Sequence, residues 1–126
     1  MRHAQTLNEA QFRKVLHSCR TRRHANRDTA IFMVSFFAGL RAKEIAALKL
    51  GDVFDDEGRV REQFTLETQQ TKCGRRRSVF INKRLAKALF DYGLDKNLSN
   101  LNRPLFEGQQ GGHFSANTMC QLFWIF

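Results

Sequence analysis

The sequence predicts a mainly α-helical domain with a small antiparallel β-sheet, which is an α+β fold. Most apolar residues recur at helical spacing, as Phe12, Val15, Leu16 and Cys19 do. Only residues 52–81 change to a loose alternation between turn signals, which is typical of paired strands. The 126 residues suffice for one domain with a real core.

The first helix is expected over about residues 7–20, where Thr6 and Glu9 form a T-x-x-E capping box. A basic loop, RTRRHANR, then leads to a second helix near residues 27–38. That helix is apolar nearly all round, so it should be the central buried one. Gly39 suits its C-terminus.

A short third helix is expected over residues 42–50, in the stretch AKEIAALKL. The β-hairpin region, residues 52–81, opens with the turn signal DDEG. It continues with the strand segment REQFTLETQQTK, a tight turn at Cys73-Gly74 and the return segment RRRSVFI. These strands should form a small antiparallel sheet.

Asn82 is expected to cap a further helix over residues 83–94. A polar stretch with the only proline then leads to a last helix over residues 115–126, which ends on the apolar run LFWIF. Natural domains rarely end in this way, because such a patch invites association. Either the tail packs against a partner, with self-association as one outcome, or the chain is truncated.

Composition narrows the class of protein. Lys and Arg outnumber Asp and Glu by 21 to 12, which favours an anionic partner such as nucleic acid, although a merely basic protein is an alternative. The scattered cysteines and histidines lack the spacing of a disulfide framework or a metal site. No apolar stretch resembles a signal peptide or is long enough to span a bilayer, so a reducing, cytoplasmic compartment is expected.

The stretch AGLRAKEIAAL places Arg41 at the start of the third helix, directly after a glycine turn. A cation there opposes the helix dipole, whereas Glu44 lies in the favourable first turn and can pair with it. The simpler interpretation is a modest surface ion pair. The functional alternative is an arginine held by Glu44 and presented to an anion such as phosphate.

The hairpin supplies a second group of cations, in which Lys72 precedes the turn and Arg75, Arg76 and Arg77 follow it. Strand alternation separates Arg76 from the other two arginines. The group is interpreted as a solvated basic edge, as non-specific phosphate contacts, or as a site where Lys72 at the turn donates a proton.

Tyr92 is the only tyrosine, and its partners at helical spacing are apolar, so it is expected in the core. No phosphate-binding loop, dinucleotide fingerprint, zinc-protease motif or nucleophile elbow is present.

Together these segments resemble the catalytic domain of tyrosine recombinases, the phage integrase family. The resemblance is carried by three stretches: FFAGLRAKEIAALKLGDV, similar to the first-arginine box; QTKCGRRRSVFI, similar to the hairpin lysine segment; and RPLFEGQQGGHFSANTMCQLF, similar to the approach to the second box. It covers nearly the whole chain and implies site-specific DNA recombination and integration.

The resemblance also implies roles for individual residues. Arg41 would bind the scissile phosphate, and Glu44 would help to orient Arg41. Lys72 would protonate the leaving 5′ oxygen. Double-stranded DNA and other recombinase protomers are the implied partners, and no metal or other cofactor is implied. The candidates for contact with the DNA backbone are Lys43, Arg75, Arg76 and Arg77.

The family's His-x-x-Arg box and tyrosine nucleophile are expected beyond residue 126, and its N-terminal DNA-clamping domain has no counterpart here. The chain is therefore expected to be the first part of a catalytic domain, unable to cleave DNA by itself. The alternative function is a non-catalytic duplex-DNA-binding module or a relic of an integrase. A basic RNA-binding domain is a third interpretation, which the lack of a stacking motif disfavours.

Overall fold

The computed structural model describes residues 7–66, 76–107 and 118–119. Its elements run in the order α1 (Glu9–Arg20), α2 (Ala25–Met33), a π-helix (Val34–Ala38), α3 (Ala42–Ala46), α4 (Leu50–Val53), β1 (Gln63–Leu66), β2 (Arg77–Phe80) and α5 (Lys83–Gly93). Helices around a two-stranded antiparallel sheet confirm the expected fold class.

Helix α1 begins at Glu9, two residues later than its predicted start. Asn8 is the capping residue, and its side chain accepts a 2.8 Å hydrogen bond from the Gln11 N–H. The Gln11 side chain in turn accepts a 3.0 Å bond from the Asn8 N–H. The predicted capping box at Thr6 and Glu9 is therefore wrong, because the adjacent N-x-x-Q sequence satisfies the same backbone donors.

Helix α2 lies at the centre of the core, as its apolar character predicts. It packs against both α1 and α5, and residues 30–34 are all buried. The α-helical geometry ends at Met33, however, and the predicted helix over 27–38 finishes as the π-helix. The Phe36 ring of the π-helix packs on Phe12 of α1, with the centroids 4.5 Å apart.

The predicted single helix over residues 42–50 is wrong, since α3 stops at Ala46 and α4 starts at Leu50. Lys49, directly before α4, is extended and bridges to Pro104 in a distant segment. The Leu105 N–H donates to the Leu48 carbonyl at 2.9 Å, and the Leu50 N–H donates to the Arg103 carbonyl at 2.9 Å. These bonds use the Leu48 carbonyl and the Leu50 N–H, two backbone groups that a continuous helix would pair within itself.

Strands β1 and β2 pair in a fixed register, with Phe64 opposite Val79 and Leu66 opposite Arg77. Phe64, Leu66 and Val79 are buried, so one face of the sheet covers the core. At the described ends the strands are shorter than predicted, since β1 begins at Gln63 and β2 ends at Phe80. Residues 67–75 between them lie outside the described part of the chain.

Helix α5 begins after Asn82, whose side chain accepts a 2.8 Å bond from the Leu85 N–H, and this confirms the predicted cap. It ends at Gly93, one residue before the predicted end. Of the predicted last helix, the structure describes only Thr118 and Met119, and Met119 is fully buried. The apolar tail lies outside the described residues. Among those described, no helix has the length and apolarity needed to cross a membrane.

Candidate functional site

Arg41 is the N-cap residue of α3 and follows a sharp turn. Gly39 ends the π-helix with φ of 69°, a left-handed conformation that favours glycine, and its N–H donates to the Ser35 carbonyl at 3.1 Å. Leu40 is buried, while Arg41 is extended and exposed. The turn thus holds one neighbour in the core and leaves the guanidinium in solvent.

Glu44 is 4% exposed and anchors this turn through one carboxylate oxygen. Its Oε1 accepts a 2.9 Å hydrogen bond from the backbone N–H of Arg41. The same oxygen lies 3.4 Å from Nη2 of Arg77. The predicted pairing of the Arg41 and Glu44 side chains is therefore corrected: Glu44 holds the backbone of Arg41, and its ion pair is with Arg77.

Arg77 reaches Glu44 because of its position in the sheet. It begins β2 and lies on the same face as Val79, the face that covers the core. Arg76 precedes the strand and is exposed. The structure therefore brings Arg77 to Glu44, 33 residues earlier in the sequence and on the helix that Arg41 begins.

The remaining predicted cations are less fully placed. Lys43 is exposed on α3, two residues beyond Arg41. Lys72 and Arg75 lie outside the described residues. Leu66 and Arg77 are paired in the sheet, and of these two residues Arg77 contacts Glu44.

Tyr92 is a core residue, as its spacing predicts. Its hydroxyl donates a 2.6 Å hydrogen bond to the carbonyl oxygen of Leu105, and its ring packs on Phe106 with centroids 5.1 Å apart. Burial raises the pKa of the phenol well above its ordinary value of 10. The only tyrosine in the sequence is therefore neutral and hydrogen-bonded in the core, so it is poorly placed to act as a nucleophile.

Asp28 forms a buried charge cluster that the sequence reasoning missed. It is 1% exposed, with Nε of Arg22 at 2.8 Å and Nη2 of Arg27 at 2.9 Å. An aspartate on an otherwise apolar helix was the available signal, since a carboxylate is buried only with partners. Two arginines of the apparently basic loop therefore have an internal structural task.

Other site types find little support. Within the described ranges, His, Cys, Asp and Glu side chains form no group of three that could hold a metal ion. A cleft of about 560 Å³ lies between α5 and the 103–107 segment, and its lining includes Arg27 and Arg103. Both arginines are already paired, with Asp28 and Glu107 respectively. Arg41 does not line this cleft.

A family model described as the phage integrase family matches residues 5–123. This chain belongs to the phage integrase family. The match spans the first-arginine box and the hairpin segment, so the predicted family is confirmed. A comparison with curated proteins finds no match.

Among solved structures, this phage integrase family member is similar to XerA recombinase. The TM-score is 0.66 and the sequence identity is 23% over 92% of this chain. The likeness establishes a shared fold. The chain covers 39% of the length of the XerA chain, so it corresponds to part of that protein.

Proposed function

We propose that this chain binds the sugar-phosphate backbone of duplex DNA and supplies Arg41 and Lys72 to site-specific strand exchange. The observation that carries the proposal is the arrangement at Arg41. Its backbone is fixed by buried Glu44, while its guanidinium is exposed. Across the described ranges, no carboxylate forms an ion pair with that guanidinium. A fixed arginine of this kind suits bidentate contact with phosphate.

The chemistry of phosphoryl transfer accounts for both proposed cations. Negative charge develops on the equatorial oxygens of the phosphorus, and Arg41 would stabilise it. The departing 5′ oxygen needs a proton, which Lys72 would donate as a general acid. The family's tyrosine would form a covalent phosphotyrosyl bond that conserves the bond energy, so the reaction needs no nucleotide.

Net charge supports duplex DNA as the partner class. The chain carries a net charge of +9, and the exposed Lys43 lies two residues beyond Arg41 on α3. We further propose that other recombinase protomers assemble with this chain on DNA, as membership of the family suggests. Duplex binding should therefore be strongly salt-dependent, because each phosphate contact releases counterions.

The test is duplex binding by fluorescence anisotropy over a series of salt concentrations. Arg41→Gln should weaken binding about tenfold or more and reduce the slope of log K against log salt by about 0.9, the value for one phosphate. The matched control is Arg13→Gln, the same change at an exposed arginine on α1 that pairs with Glu9. Equal effects of the two variants would contradict a specific role for Arg41.

The second candidate function is a non-catalytic duplex-binding module. The buried, hydrogen-bonded Tyr92 favours it, because residues 1–126 offer no other phenol. In that case binding should survive Arg41→Ala and weaken when Arg75 and Arg76 are neutralised. A nicked suicide substrate should leave no covalent adduct with this chain, and an adduct at Tyr92 would overturn our assignment.

A further inference from the structure

Arg77, the last of the three arginines that follow the hairpin turn, pairs with a buried carboxylate. Its Nη2 lies 3.4 Å from Oε1 of Glu44. The Arg77 side chain is 47% exposed, whereas that of Glu44 is 5% exposed. Arg77 is thus half withdrawn from solvent, and its charge faces a partner that has little water around it.

That partner needs Arg77. A carboxylate buried without a compensating cation is strongly unfavourable, and a backbone N–H only partly compensates it. Of the described residues, only Arg77 forms a salt bridge with Glu44. A move of Arg77 onto a DNA phosphate would leave Glu44 without its cation, so direct backbone contact by Arg77 is disfavoured.

Glu44 passes this constraint to Arg41. Its Oε1 accepts from the Arg41 N–H and from Arg77, so one atom joins the start of α3 to the start of β2. We propose that Arg77 is a positioning residue, which acts through Glu44 to fix Arg41, and that it makes no DNA contact of its own. This inference rests on the proposed function of Arg41.

A positioning role and an independent phosphate contact predict different DNA affinities when Arg77→Gln is combined with Arg41→Gln. As a positioning residue, Arg77 acts only through Arg41. The double variant should then bind duplex DNA within about twofold of Arg41→Gln alone, with the same salt slope. As an independent phosphate contact, Arg77 would lower the slope by a further 0.9 or so. That further loss would overturn the inference.

Arg77→Lys provides the conservative variant in an otherwise native chain. Lysine keeps the charge opposite Glu44, so affinity should return most of the way from the Arg77→Gln value. A role in packing alone would not predict that the loss disappears in the Arg41→Gln background. Arg76→Gln is the matched neighbour, and its effect should add fully to that of Arg41→Gln if Arg76 contacts phosphate.

The double variant Glu44→Gln/Arg77→Gln distinguishes a loss of folding from a loss of Arg41 positioning. The double variant has no buried unpaired carboxylate, so its urea midpoint should lie above that of Arg77→Gln. Its DNA affinity should equal that of whichever single variant binds DNA more weakly. If the fold-loss of affinity in the double variant equals the product of the two single fold-losses, action through Glu44 is refuted. Failure of the proposed function would appear separately, as an unchanged salt slope in Arg41→Gln alone.

Discussion

The phenol oxygen of Tyr92 lies 2.6 Å from the carbonyl oxygen of Leu105 and joins the last turn of α5 to the segment that pairs with residues 48–50. We expect Tyr92→Phe to cost about 1 kcal/mol in the free energy of unfolding, since a buried carbonyl loses its donor while the ring packing remains. Urea unfolding measures this cost. A loss near zero would show that the carbonyl finds another donor.

The same burial predicts the titration of the phenol. The pKa of Tyr92 is raised in the folded state, so the neutral form contributes stability that is complete below about pH 10 and lost above it. Absorbance at the phenolate band should therefore stay low in the folded protein at pH 10–11 and rise upon addition of urea. Half-titration of the folded protein near pH 10 would contradict the prediction.

Asp28→Asn should be among the most destabilising single changes in α2. The variant leaves Arg22 and Arg27 opposite a neutral amide at a 1% exposed position, and breaking such buried pairs costs about 3 kcal/mol. The matched control is Asp91→Asn on α5, whose exposed pair with Lys87 should contribute less than about 0.5 kcal/mol. Comparable urea midpoints for the two variants would refute the distinction.

Gly93→Ala tests a close approach between α5 and the chain after α4. A Cβ atom at this position would lie 2.6 Å from Cζ of Phe54, a ring that is 1% exposed. Overpacking should cost about 1–3 kcal/mol, more than alanine gains from its helix propensity. The cost should shrink when Phe54→Leu is present. Equal costs in both backgrounds would place the strain elsewhere.

Asp55 should give the chain part of its acid sensitivity. Its carboxylate accepts hydrogen bonds from the backbone N–H groups of Arg59 and Glu57, each at 2.9 Å, and these bonds hold its pKa below the ordinary 3.8. The folded state binds this proton less tightly, so the stabilisation is present above about pH 4 and lost as the pH falls. Asp55→Asn should flatten the acid limb of a plot of unfolding free energy against pH.

Local sequence signals predicted much of the framework. Gly39 at a helix end, Asn82 as a cap and Tyr92 in the core all depend on neighbours within one or two turns. The family motif likewise placed Arg41 and Glu44 at one helix start. These features follow from backbone conformation and helical periodicity, which a single sequence displays directly.

The missed features depend on residues far apart in the chain. The break at residues 47–49 requires pairing with residues 103–105, and no local signal announces it. Glu44 has two candidate cations, and only the register of β2 decides that its ion pair is with Arg77. Burial of Asp28 likewise depends on where the preceding loop folds back.

The π-helix Val34–Ala38 sets the direction in which the chain leaves the core toward Arg41. In an α-helix each residue advances by about 100°, so the direction of the next turn depends on how many residues come before it. In the π-helix the hydrogen bonds span five residues instead of four. The direction in which the chain turns at Gly39 therefore depends on this extra residue. Removal of one residue from VSFFA would leave the side-chain chemistry of Arg41 and Glu44 intact. The guanidinium would nevertheless point in a different direction, because each residue removed from the helix rotates the following turn by about 100°.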